Sequence, residues 1–198
     1  MSVQPLSVLD LFRQTGAYLS GHFRLTSGLH SPEYLQSAKV LQYPAHAERL
    51  GQELAAALLE LTGGQAIQVV VAPALGGLII GHEVARALDA RFVFTERDAS
   101  GGMVMRRGFH ADRKDSAVVV EDVITTGGST RETIEIVRQG GAQVLAVGSI
   151  IERAGGRVDV GLPRIALATL EVISYKPDQC PLCRQGIEVA KPGSRPAP

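Results

Sequence analysis

The stretch VVVEDVITTGGST, residues 118–130, constrains this chain more than any other. Three β-branched residues run into two adjacent carboxylates, Glu121 and Asp122. Val123 and Ile124 follow, and then Thr125, Thr126, Gly127, Gly128, Ser129 and Thr130. The pattern predicts a buried strand that ends at the acids and a small polar turn that opens a helix whose first amides lack intrahelical partners. Such an end is an anion site: glycines let backbone N–H groups approach an oxyanion, hydroxyls add donors, and the helix dipole favours negative charge. Glu121 and Asp122 would repel that anion, so they are expected to face sugar hydroxyls or a cation instead. No Gly-Lys pair precedes the Ser or Thr, which separates the stretch from a Walker A loop.

The chain around it reads as one globular α/β domain. Its 198 residues are 45% apolar, enough to bury a core. Twenty basic and twenty acidic residues cancel, and tryptophan is absent. Neither a positive field nor a set of stacking aromatics therefore points to nucleic acid. No apolar run approaches the ~18 residues of a membrane span, and the first ten residues do not read as a signal peptide, so a cytoplasmic protein is expected.

In chain order, Ser7 and Asp10 look like a helix cap. Val8, Leu11, Phe12, Thr15, Tyr18 and Leu19 then fall at helical spacing before Gly21. Residues 23–38 read as two short extended pieces joined at Ser27 and Gly28. Pro44 starts a long Ala/Leu-rich helix to residue 61, closed by Gly63 and Gly64. Strand 67–72, helix 78–88, strand 91–95, helix 131–139, strand 144–151 and strand 164–170 follow. This alternation predicts a parallel sheet with ligands at the carboxyl ends of its strands. Residues 96–107 interrupt it with two glycines and with Arg97, Arg106 and Arg107. Glu152 and Arg153 end the strand at 144–151, where an ion pair between such neighbours is the ordinary outcome. Cys180 and Cys183 form a lone CxxC, half of a tetrahedral metal site; with no second pair and every histidine distant in sequence they read first as two reduced structural thiols, with zinc shared across a dimer or a redox pair as the alternatives. Three segments are expected: 1–42 (helix and hairpin), 43–175 (core) and 176–198 (tail).

The central stretch closely resembles the signature of type I phosphoribosyltransferases for 5-phosphoribosyl 1-diphosphate (PRPP), and the form EDVITTGGS is most similar to the orotate enzymes. A second resemblance lies in residues 25–36, where Leu25, Ser27, Gly28, His30, Ser31, Tyr34, Leu35 and Gln36 match the N-terminal segment of that family. It implies the family's fold: a central, mostly parallel sheet flanked by helices, with a small N-terminal hood over the base.

By the same resemblance, residues 121–129 bind PRPP, and Asp122 and Glu121 act on the ribose hydroxyls. The APALGG turn at residues 72–77, with Ala74, Leu75 and Gly76, cups the diphosphate, often through a strained peptide bond. Residues 96–107 are the loop that closes over PRPP, with Arg97 catalytic and Arg106 and Arg107 on the diphosphate of a neighbouring subunit in a homodimer. Thr125 and Arg153 meet orotate. Mg²⁺ is implied as cofactor, held mainly through PRPP rather than by protein ligands.

The chain departs from the family at three places. Thr26 stands where relatives carry a lysine, the turn at 72–77 has no lysine, and Asp98, Ala99 and Ser100 stand where a lysine and a histidine are usual. The activity implied is formation of orotidine 5′-monophosphate and diphosphate in de novo UMP synthesis. A purine-type phosphoribosyltransferase is the second reading, and a non-catalytic PRPP-sensing regulator the third.

Overall fold

The computed structural model describes residues 6–25 and 28–192, so Thr26 and Ser27 of the hood segment lie outside the described residues. Two compact units are present: residues 41–170 form one, and residues 1–40 with 171–198 form the other. The tail, which the sequence pattern sets apart, thus belongs to the same unit as the N-terminal hairpin.

In that smaller unit, α1 (Val8–Gln14) starts at Ser7, whose hydroxyl accepts from the Asp10 amide, and buries Val8, Leu11 and Phe12. It is shorter than the helical spacing predicts. The chain turns at Gly16, φ 64°, and Tyr18 and Leu19 enter strand β1 (Tyr18–Arg24) instead. Helical and strand periods coincide for these few residues, and pairing with β2 (His30–Leu35) decides between them. The ladder is antiparallel, with Tyr18 opposite Leu35 and Arg24 opposite His30, and its register shifts between Ser20 and Phe23. Helix α2 (Ala38–Leu41) ends this part of the chain. At the tail, α6 (Pro181–Arg184) is a single short helix.

The larger unit is built on a six-stranded sheet. Its members are β3 (Val69–Pro73), β4 (Arg91–Arg97), β5 (Met103–Met105), β6 (Ser116–Ile124), β7 (Gln143–Glu152) and β8 (Arg164–Thr169), in spatial order β5-β4-β3-β6-β7-β8. All neighbours are parallel except the β4–β5 hairpin at one edge. Valines 69–71 and 118–120 are fully buried because both faces of these central strands are covered.

On one face, Val69, Val71, Val119 and Val147 pack with Ile134 and Val137 of α5 (Gly128–Gly140). The other face meets α3 (Pro44–Leu61) and α4 (Gly77–Leu88) at residues without side chains. An added methyl on Gly148 would lie 3.0 Å from Leu58, and one on Gly81 would lie 2.6 Å from the Phe92 ring. Each fully buried valine contributes about 1.5–3 kcal/mol, several times a surface ion pair at about 0–1 kcal/mol, so burial rather than charge holds the sheet.

Most boundaries differ by one or two residues from the pattern read in the sequence, and two of the differences bear on the acids. Strand β6 continues past the acids to Ile124, whose side chain is 2% exposed, and α5 starts three residues before Arg131. The first shift places the acids within a paired strand rather than at its end, and the second brings the start of the helix closer to them.

Candidate active site

Three segments of the larger unit converge at the carboxyl end of its sheet. The first is the β6–α5 turn. Gly127 caps α5 at φ 74°, a conformation open to glycine, and an added methyl there would lie 2.8 Å from Val158. The turn is braced by Arg131, which donates to the Thr126 carbonyl at 2.8 Å and the Asp159 carbonyl at 2.7 Å. Thr125 and Thr126 are exposed, and the first amides of α5 are of the kind that holds a phosphate.

Ser129 does something the sequence does not foretell, since its hydroxyl donates to Glu121 Oε1 at 2.7 Å rather than standing ready for an anion. Glu121 itself is buried, while Asp122 is only half-buried. Burial, and then the charge of Asp122, push Glu121 up to about 8, with the Ser129 bond opposing. Burial thus favours the protonated form of Glu121 near neutral pH.

That shift makes a stability prediction. Between about pH 4.5 and 8 the folded chain keeps the Glu121 proton and the unfolded chain releases it, so stability falls as pH rises through the window. The slope from this group is at most about 1.4 kcal/mol per pH unit. Glu121→Gln should flatten it in urea melts taken across the window. An unchanged slope would assign the proton to another group.

The second segment is the β3–α4 turn. Its Ala74–Leu75 peptide is cis, the Ala74 amide donates to the Thr95 carbonyl at 2.7 Å, and Leu75 is exposed. Gly76 lies directly against Asp122, and a methyl on it would sit 2.5 Å from Oδ1. A glycine at residue 76 is thus what lets the two turns share one space. Gly76→Ala should displace the Asp122 carboxylate and lower kcat/KM about 10- to 100-fold, the scale on which ångström misplacement acts, with the melting curve little changed. Wild-type kinetics in this variant would separate the two turns functionally.

The third segment is the end of β7. Ile124 pairs with Glu152 across the β6–β7 ladder, and the Arg153 amide donates to the Ile124 carbonyl at 2.8 Å, which sets Arg153 beside Thr125. Glu152 takes Arg164, at 3.2 Å, and also accepts from the Val158 amide. Arg153 is 8% exposed. Val123 and Ile124 belong to β6, so the side chain of Ile124 serves the core and only its backbone faces this end of the sheet.

The arginine-rich stretch proves more compact than a long loop. Glu96 and Arg97 end β4, residues 103–105 form β5, and the turn between is tied by Asp98, which accepts from the amides of Ser100 and Gly102 at 2.9 Å. Arg97 pairs with Glu132 of α5 at 2.7 Å. Arg106 and Arg107 both meet Glu96, at 3.7 and 3.2 Å. All three cations are engaged with acids of their own chain, a pairing that nothing in the local sequence signals.

An open cleft of about 620 Å³ lies at the opposite, amino ends of the strands, lined by Leu59, Ile67, Leu88, Arg91 and Asp115. It holds no helix start or glycine turn, and parallel sheets bind at their carboxyl ends. The convergent turns are the better site.

Comparison with known proteins identifies the family and the fold. Residues 39–161 match the model of the phosphoribosyl transferase domain. An orotate phosphoribosyltransferase from Pelotomaculum thermopropionicum is 52% identical over 188 residues, covering 95% of this chain and 96% of that protein. Among solved structures, orotate phosphoribosyltransferase from Aeropyrum pernix aligns with TM-score 0.67 and 25% identity over 83% of this chain and 94% of the other. Adenine phosphoribosyltransferase from Rhodothermus marinus aligns at TM-score 0.62 and 24% identity, over 82% and 98% of the two chains, a likeness of fold alone. The fold is thus common to enzymes for different bases, and the near full-length identity selects among them: the chain belongs to the orotate phosphoribosyltransferase family.

Proposed function

We propose that this chain transfers the ribose 5-phosphate group of PRPP to orotate, giving orotidine 5′-monophosphate and diphosphate. The base nitrogen bonds to the anomeric carbon as the bond to diphosphate breaks, so no covalent enzyme intermediate is required. The observation that carries the reading is the adjacency of three chemistries at one sheet end: the first amides of α5, the half-buried carboxylate of Asp122, and Arg153, whose backbone bonds to Ile124 next to Thr125.

In this reading the start of α5 and the hydroxyls of Thr125 and Thr126 hold the 5′-phosphate. Asp122 faces the ribose, and the β3–α4 turn receives the diphosphate. Arg153 meets the orotate carboxylate. Mg²⁺ would be held mainly through PRPP, with the hard carboxylate oxygens of Asp122 the nearest protein donors, and would supply charge neutralisation on the leaving diphosphate. Arg97, Arg106 and Arg107 supply further positive charge once their own acids release them. We take the protein to act as a cytoplasmic homodimer in which this hairpin serves the neighbouring site. No helix among the described residues is long and apolar enough to cross a membrane.

Incubation with PRPP and Mg²⁺ and, separately, with orotate, uracil, adenine, guanine or hypoxanthine tests the assignment. Diphosphate release with orotate alone is expected. Release with a purine would favour the purine-type reading, and PRPP binding without any turnover would favour a sensor.

A further inference from the structure

The smaller unit contains a second cluster, independent of the transferase chemistry. His22 of β1, His30 of β2, and Cys180 and Cys183 of the tail bring one nitrogen or sulfur atom each into a space in which all four lie within 4.8 Å of one another. His22 Nε2 is 2.9 Å from His30 Nδ1, 3.5 Å from Cys180 Sγ and 3.7 Å from Cys183 Sγ, and Cys183 Sγ is 3.2 Å from His30 Nδ1. Zinc bound at ~2.0–2.1 Å to nitrogen and ~2.3 Å to sulfur has tetrahedron edges of roughly 3.3–3.8 Å. The observed separations bracket those edges.

The surroundings also suit a metal. His22 Nδ1 is 2.7 Å from the Ile187 carbonyl, so that nitrogen carries the proton and Nε2 presents its lone pair to the cluster. A bulge in the ladder falls at His22, between Ser20 and Phe23, the kind of irregularity that re-aims a side chain. Both histidines and Cys180 are buried, and Cys183 is at the surface.

Among the described residues the tail contributes only short helical turns, exposes Ile173, Ile187 and Val189, and meets the hairpin through isolated bridges at Phe23–Ala190 and His30–Tyr175. A unit this small ordinarily needs a staple. Thiols are weak hydrogen-bond partners, so the four groups satisfy one another poorly on their own. A redox role suits the pair less, because Cys180 is 1% exposed and the nearest groups are imidazoles arranged around a common point.

We propose that His22, His30, Cys180 and Cys183 form a structural Cys2His2 zinc site that fastens the C-terminal tail to the N-terminal hairpin. Its four protein ligands close the coordination shell, so the ion stabilises and does not catalyse.

The test is elemental analysis of the full-length, untagged protein purified under reducing conditions, followed by cobalt titration after chelation. One zinc per chain is expected. The chelated protein should take up one equivalent of Co²⁺ with the visible bands of tetrahedral cobalt and a thiolate charge-transfer band, both abolished by zinc. Cys183→Ser and His30→Ala should each lower bound zinc at least tenfold, while His82→Ala and His110→Ala should retain it. Wild-type protein without stoichiometric zinc and with a featureless cobalt spectrum would overturn the site, as would full zinc content in a folded Cys183→Ser variant. The wild-type cobalt measurement decides the matter even where a ligand variant does not fold.

Discussion

Asp122→Asn should lower kcat about 10²- to 10³-fold and change the Kd for PRPP only a few-fold. The reaction builds positive charge on the ribose ring, and a carboxylate facing it is worth most when that charge is present, so its loss falls on the transition state more than on ground-state binding. The magnitude is that of removing one preorganised electrostatic partner from an active site. Asparagine keeps the size of the side chain and hence the contact with Gly76. Asp122 is the better of the two acids for the role. Glu121 is 6% exposed, accepts from Ser129, and holds its proton near neutrality, whereas Asp122 is half-buried at the mouth of both turns. Glu121→Gln should accordingly cost less activity than Asp122→Asn. A kcat for Asp122→Asn within twofold of wild type would remove Asp122 from the chemistry.

What could be read in the sequence was what local chemistry determines. Helix α3 spans residues 44–61 as predicted because both of its signals are local, a proline at its first position and glycines after its last. The parallel sheet follows from alternation alone. The error at Tyr18 arose where two periods coincide over a few residues and a partner strand chooses between them.

Pairings across the chain were not legible. Arg97 takes Glu132, 35 residues away, and Arg164 takes Glu152 from the next strand. Cys180 is 158 residues from His22, and distance in sequence is why the CxxC looked like half a site. Likewise, the contact of Gly76 with Asp122 depends on two turns meeting at adjacent strand ends. A glycine in a strand-to-helix turn signals close approach, but not what approaches.

Arg153→Ala should reduce kcat/KM for orotate about 30- to 1000-fold, with the Kd for PRPP nearly unchanged. A charge-assisted bond contributes about 1.5–3 kcal/mol, and a forked guanidinium–carboxylate contact about 2–4 kcal/mol, which converts to that range. Two observations favour Arg153 as the residue that reads the base. The ladder between β6 and β7 sets it beside Thr125, one strand over from the phosphate turn. The burial of Arg153 to 8% exposure puts the planned contact where water competes weakly. Arg153→Lys separates charge from shape, because lysine keeps the cation but not the planar fork. It should recover only part of the loss. Normal kcat/KM for orotate in Arg153→Ala would move base recognition to another residue, and an equal loss of PRPP affinity would mean that Arg153 shapes the phosphate turn through its bond to Ile124 instead.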